Sequence, residues 1–181
     1  MDGAALSASN AGMESRELLL TAFDNIEQAV RGAVEGLDPD LLTARIDPGA
    51  NTIAWLIWHL TRIQDDHVAD VADRPQAYRE AGWADRFGLP FAVGATGYGF
   101  SSADVAATRI TDPDLLLGYH AEVHRRTVAF VSGLSPGDLD RIVDERWDPP
   151  VTLGVRLVSV VTDDLQHAGQ AAFVRGVLDR R

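Results

Sequence analysis

The chain has no cysteine and no lysine. Without cysteine it can form no disulfide, hold no metal through a thiolate and use no cysteine nucleophile. A thiol that takes part in chemistry here must be brought by a substrate or cofactor. Without lysine, no side-chain amine can form a Schiff base with a carbonyl. All 16 basic residues are arginine, a bias that fits a high-GC genome. No apolar run approaches the ~20 residues that span a bilayer. The start, Met1-Asp2-Gly3-Ala4-Ala5, lacks the basic flank and apolar stretch of a secretory signal, so a cytoplasmic location is expected. Positive charge is scarce: the net charge is −11 and the pI about 4.7. A field of that sign repels phosphate backbones and anionic lipid, which makes nucleic acid and membrane poor partners. An anionic small molecule stays open, because an arginine-lined pocket or a bound metal can reverse the potential locally. A Gly-rich phosphate loop, a nucleophile elbow and an H-E-x-x-H motif are all missing.

What is present is helical periodicity. The 181 residues fit one domain, with a loose, small and polar tail at 1–13 and a bundle over 14–181. The first helix reads from Glu14 to Leu37, with a stripe of Leu18, Leu19, Ala22, Ile26, Ala29 and Val30, and Asp38-Pro39 stops it. After Asp47-Pro48-Gly49-Ala50, Asn51 or Thr52 caps a second helix over 52–73, which is nearly all apolar from Ile53 to Leu60 and must be buried on most sides. Arg74-Pro75 ends it. The segment 76–111 is rich in glycine and aromatics, and a connection that long is usually functional or carries short elements; Ser102 to Arg109 suits one. Thr111-Asp112-Pro113 opens a third helix whose stripe is Leu116, Tyr119, Val123, Thr127, Phe130 and Val131, and Gly133 closes it. After a loop containing Trp147-Asp148-Pro149-Pro150, the fourth helix runs over 153–178, with Leu157, Val158, Val161, Leu165, Ala168 and Ala172 facing inward. No strand-like alternation competes. The expected fold is an all-α four-helix bundle with a long crossover connection between helices 2 and 3.

Two passages carry the chemistry. Asp163 and His167 stand four apart, so one helix face presents both. His59 lies in the most apolar stretch of the second helix. Two imidazoles and a carboxylate converging in a bundle make a three-ligand site for a divalent metal with a position left open. Each piece has a plainer reading: a hydrogen-bonded core histidine for His59, a surface pair for Asp163 and His167. Nitrogen and oxygen donors without thiolate suit zinc, nickel, manganese or iron and do not choose among them, with zinc the first expectation. Asp164 could replace Asp163 by sequence, but it points roughly 100° away. His120 and His124 form a rival i, i+4 pair; His124 reads as an edge residue, and His120 as a candidate substrate-facing acid or base. Asp65-Asp66-His67 reads as a solvated helix end with His67 exposed. Asp66 shares the His59 face about 10 Å along the axis, too far to bind the same ion and placed for a second catalytic role.

The chain resembles the DinB-like superfamily of four-helix metalloproteins, which includes mycothiol-dependent maleylpyruvate isomerase and related thiol transferases. Three passages carry the resemblance: Asn51-Thr52-Ile53-Ala54-Trp55-Leu56-Ile57-Trp58-His59-Leu60, Gly82-Trp83-Ala84-Asp85-Arg86-Phe87-Gly88, and Asp163 through Gln170, which ends His-Ala-Gly-Gln. In that family one ligand comes from the second helix and two, four apart, from the last. Those positions fall on His59, Asp163 and His167, with Asp163 shorter than the Glu of carboxylate-bearing members. The resemblance implies a divalent metal and a low-molecular-weight thiol such as mycothiol, or water, activated against a small electrophilic substrate. The competing expectation is a non-catalytic, metal- or small-molecule-binding stress protein. A homodimer through an apolar helix face is expected in that reading.

Overall fold

A computed structural model describes residues 14–180; the tail expected at 1–13 lies outside the described residues. The elements in chain order are α1 (Ser15–Val34), α2 (Pro39–Thr43), α3 (Ile53–Val71), α4 (Ala77–Glu80), α5 (Trp83–Phe87), α6 (Ser102–Ala107), α7 (Pro113–Ser132), a 3₁₀ turn (Pro136–Asp140), β1 (Ile142–Asp144), β2 (Val151–Thr152) and α8 (Leu153–Leu178). The four long helices, α1, α3, α7 and α8, form the bundle. Around its square α8 packs on α3 and α1, and α7 packs on the same two from the other side. Cross-helix pairs fix the directions. His59–His167 and His67–Arg156 make α3 and α8 antiparallel, and Thr61–His120 with Gln64–Thr127 make α3 and α7 parallel. Two neighbouring helices that run the same way need a crossover between them, and residues 72–112 supply it.

The helix ends follow their local chemistry. Of the two candidate caps for α3, Thr52 does the work, its hydroxyl accepting the Trp55 amide at 3.1 Å. Asp112 accepts the Asp114 and Leu115 amides ahead of α7, with Pro113 at the first helical position, and Gly133 follows the last turn. The first half of α3 is buried all round, from Ile53 to Arg62.

Three expectations are corrected. A small antiparallel hairpin, β1–β2, brackets the Trp147–Pro150 turn although no alternation announced it; strands of three and two residues are too short to show a period. The buried face of α8 is Leu153, Leu157, Val160, Asp164, Ala168, Ala171, Val174 and Leu178, while Val158, Leu165 and Ala172 are exposed. The inward stripe was placed off phase because its centre is an acidic residue, Asp164, which is fully buried. Leu18 on α1 is exposed as well.

The third correction concerns Asp65, which sits in the core rather than on a solvated helix end. Its carboxylate accepts the Ala77 and Tyr78 amides at 2.8 Å each and the Tyr119 hydroxyl at 2.9 Å. It also lies 3.5 Å from the guanidinium of fully buried Arg62. Arg62 in turn donates to the Ala95 carbonyl and to Gln76. A buried charge pair is tolerated only when its remaining donors and acceptors are satisfied. Here the satisfying groups belong to the crossover, so this network ties the long connection to α3 and α7.

Candidate metal centre

His59, Asp163 and His167 each offer a ligand atom, and these atoms lie within 4.8 Å of one another. Among the described residues they form the one such group of histidine and carboxylate ligands. The site sits on the outer side of the α3–α8 seam. His59 is buried at 5% exposure, whereas Asp163 and His167 are half-buried, so the cluster is backed by the bundle and reachable from one side.

Each imidazole has its Nδ1 engaged. His59 Nδ1 donates to the Thr96 carbonyl at 2.6 Å and His167 Nδ1 to Gln170 Oε1 at 3.0 Å. A proton on Nδ1 leaves a lone pair on Nε2, the arrangement by which outer partners orient metal-bound histidines. Burial pushes the His59 pKa down, with the nearby His167 acting in the same direction against the Thr96 bond and Asp163, so its imidazole is neutral, as a ligand must be. His167 Nε2 lies 3.7 Å from Asp163 Oδ1. Two ligands each about 2.1 Å from a tetrahedral ion stand roughly 3.4 Å apart, so a movement of tenths of an ångström would seat both. Asp163 Oδ2 is buried with no hydrogen-bond partner, an unpaired carboxylate oxygen that a cation would satisfy. The donor set fits a divalent metal.

The surroundings hold the cluster still. The Trp55 indole stacks on the His59 ring, centroids 4.6 Å apart, and meets His167 edge-on at 6.1 Å. The crossover passes directly over His59 at Gly97, whose φ is +94°. A Cβ there would lie 2.9 Å from His59 Nδ1 and 3.1 Å from Trp58, so only glycine allows the backbone this close. Gln170, the partner of His167, also lines an open groove of about 400 Å³ with Ile46, Asn51, Leu56, Phe173 and Val174, and none of the three cluster residues lines it.

The structure does not bring the two expected proton-transfer residues to the cluster. His120 is buried in the core, its Nδ1 3.2 Å from the Thr61 hydroxyl. Burial, with His124 and Arg31 adding to it, pushes its pKa down to about 3. Asp66 lies two turns along α3 from His59 and accepts a bond from Gln76 at 2.6 Å. His124 pairs with Asp24 at 3.2 Å and stands apart from the cluster. His67, expected to be exposed, is half-buried and 3.3 Å from Arg156. Sequence reasoning missed Thr96, Gly97 and Gln170 as supports of the site; only Gln170, three residues after His167, carried a spacing that could have revealed it. A second cavity of about 190 Å³ lies on the α3–α7 seam, and its rim arginines 125 and 126 are already paired with Glu122 and Glu80.

An all-helical bundle with a crossover and a His–Asp–His cluster on one seam defines a class of metal-site helical proteins. The chain belongs to the DinB superfamily, whose profile matches residues 22–171. Among solved structures it is similar to a conserved protein from Enterococcus faecalis, with a TM-score of 0.87 at 22% identity, covering 94% of this chain and 100% of that one; that likeness shows the fold. Curated proteins give no match. Among the described residues no helix is long and apolar enough to cross a membrane.

Proposed function

We propose that this protein is a divalent-metal-dependent enzyme that activates a low-molecular-weight thiol of the mycothiol type, or water, against a small electrophile. The observation that supports it best is the convergence of His59, Asp163 and His167 with both Nδ1 atoms engaged elsewhere. When bound there, a divalent cation supplies Lewis acidity that lowers the pKa of a coordinated thiol or water. The chain's own part is to hold and shield. Thr96 and Gln170 fix the two imidazoles in the ligating tautomer, Trp55 keeps the His59 ring in plane, and Gly97 lets the loop close over its back. The thiol must come from outside, because the chain has none. The groove that Gln170 lines favours a substrate with an apolar body and a polar end that meets Asn51 or Gln170. Zinc is the first choice of metal for two imidazoles and a carboxylate, ahead of nickel, manganese and iron.

A second reading, a non-catalytic binder of metal or small molecules, draws support from the placement of His120 and Asp66 away from the cluster. The deciding experiment starts with elemental analysis of tag-free protein beside His167→Ala. The enzyme and a metal binder both expect near-stoichiometric metal in the parent and its loss in the variant. The metal-loaded parent is then incubated with mycothiol or water and a panel of electrophiles. Thiol- or water-dependent product supports the enzyme, metal without turnover supports a metal binder, and no metal after incubation with zinc, nickel or manganese overturns the enzyme and leaves a small-molecule-binding or purely structural bundle.

A further inference from the structure

The cavity of about 190 Å³ on the α3–α7 seam is built from the C-terminal halves of both helices and the Arg74–Pro75 turn, and none of the three cluster residues lines it. Its wall is apolar, with Val68 and Val123 buried at the back and Ala69, Pro75 and Phe130 nearer the opening. The polar groups of its floor are already satisfied. Asp65 gives its oxygens to the Ala77 and Tyr78 amides and the Tyr119 hydroxyl. The Thr127 hydroxyl donates to the Val123 carbonyl and accepts from Gln64. Against that one satisfied carboxylate, three guanidiniums line the cavity, those of Arg74, Arg125 and Arg126. The Arg74 side chain has no partner among the described residues. Glu122, Glu80 and the Pro75 carbonyl pin the other two through Nε and one terminal nitrogen each. Arg125 Nη1 and Arg126 Nη2 are left unbonded among the described residues.

We propose that this cavity is a binding site for a small monocarboxylate with an apolar body, an aromatic acid of benzoate size or a short-chain fatty acid. Size sets the body. An apolar cavity of about 150 Å³ takes up a benzene ring, and 190 Å³ leaves room for one carboxyl group beside such a ring. Charge sets the head. A carboxylate at the opening can accept from Arg74 and from the unbonded nitrogens of Arg125 and Arg126, whereas a cation would meet three like charges. In a chain of net charge −11, this group of guanidiniums draws an anion to one spot. The last carbonyls of α3, which would oppose an anion, are taken. Those of Val68, Ala69 and Asp70 accept the amides of Ala72, Arg74 and Asp73, and that of Val71 accepts the Arg141 guanidinium. A neutral polar ligand would find no open partner on the satisfied floor. Asp65 also holds, through Arg62 and the Ala95 carbonyl, the loop whose Thr96 carbonyl engages His59. A bound acid therefore rests against the network that supports the cluster without touching the cluster itself. The proposal does not depend on the metal.

The test is an NMR titration of the full chain with sodium benzoate and sodium hexanoate, beside benzamide, which keeps the ring and lacks the charge. One acid molecule should bind per chain with a Kd of about 1 mM or tighter, in keeping with so small a ligand, and benzamide should bind at least about 10-fold more weakly. Arg74→Gln, at an exposed position outside any helix, should weaken benzoate about 10-fold. Ala69→Phe, which fills the cavity, should abolish binding. His167→Ala should bind benzoate as the parent does, which separates this site from a carboxylate held at the metal cluster. No binding of either acid overturns the proposal, as does equal binding of benzoate and benzamide. Benzoate binding that is untouched by both Arg74→Gln and Ala69→Phe, or lost in His167→Ala, places the acid elsewhere and overturns it too. If Ala69→Phe fails to fold, the Arg74→Gln result decides alone.

Discussion

Replacing Gly97 with alanine tests whether the crossover is a working part of the cluster. Its φ of +94° lies where L residues are strained, at about 1–2 kcal/mol for the left-handed region. The new Cβ would also stand 2.9 Å from His59 Nδ1, 3.1 Å from the Trp58 ring and 3.3 Å from Trp55 Nε1. These neighbours are buried rings rather than flexible chain ends, so the loop must lift. Overpacking of that kind costs roughly 1–3 kcal/mol, and lifting breaks the Thr96–His59 bond, worth about 1 kcal/mol. The total is roughly 4 kcal/mol. In a chain of this size each kcal/mol lowers Tm by about 2–4 °C, so Gly97→Ala should melt roughly 10 °C below the parent. Gly99 is the control: its φ is +73° and nothing lies within 4 Å of its Cβ position, so Gly99→Ala should lose only the conformational part, about 1–2 kcal/mol. Losing the partner that orients His59 should also weaken zinc binding about 10- to 100-fold. Calorimetric melting of all three proteins, with zinc titrations on each, measures both effects. If Gly97→Ala and Gly99→Ala melt together, or zinc affinity is unchanged in Gly97→Ala, the loop does not support the site.

Three further outcomes are expected. Folded His120 takes its proton only near pH 3, against about 6.5 when unfolded. Between those values the unfolded chain binds more protons, so stability falls as pH drops, by up to about 1.4 kcal/mol per unit; His120→Gln should flatten that slope in urea melts from pH 7 to 5, and an unaltered slope would contradict it. Asp65→Ala strands buried Arg62, the Ala77 and Tyr78 amides and the Tyr119 hydroxyl. It should cost roughly 3–5 kcal/mol and expose residues 76–100 to limited proteolysis, whereas a loss under 1 kcal/mol would show that the network holds little. Both carboxyl oxygens of Asp164 are buried without a partner, so Asp164→Val should raise stability by about 1–2 kcal/mol; a drop in chemical denaturation would show that the carboxyl is satisfied in the folded protein.

The bundle and the convergence of His59 with Asp163 and His167 were legible because both rest on local periodicity. Thr52, Asp112-Pro113 and Gly133 marked the helix ends, and a spacing of four set Asp163 and His167 on one face. The misread parts depend on contacts remote in sequence. Nothing near Thr96 shows that its carbonyl faces an imidazole 37 residues earlier. Asp65 resembles a surface acid until the Ala77 and Tyr78 amides return to it. The phase of α8 failed because apolar residues surround the helix, so a charged core residue outweighed the period. His120 was chosen by type and face, which cannot tell the outer seam from the core, and Asp66 by face alone, which says nothing of its bond to Gln76.

The stacking of Trp55 has an optical consequence. Its indole touches both imidazoles of the cluster, and a protonated or metal-bound imidazole alters the emission of a ring in contact with it. Trp58 and Trp83 lie instead among phenyl and phenol rings, and Trp147 is 65% exposed. Blue emission from Trp55 therefore stands apart from the solvent-facing signal of Trp147. A metal entering the cluster would therefore change the emission of an indole already in contact with it, so its arrival could be watched in real time without any added label.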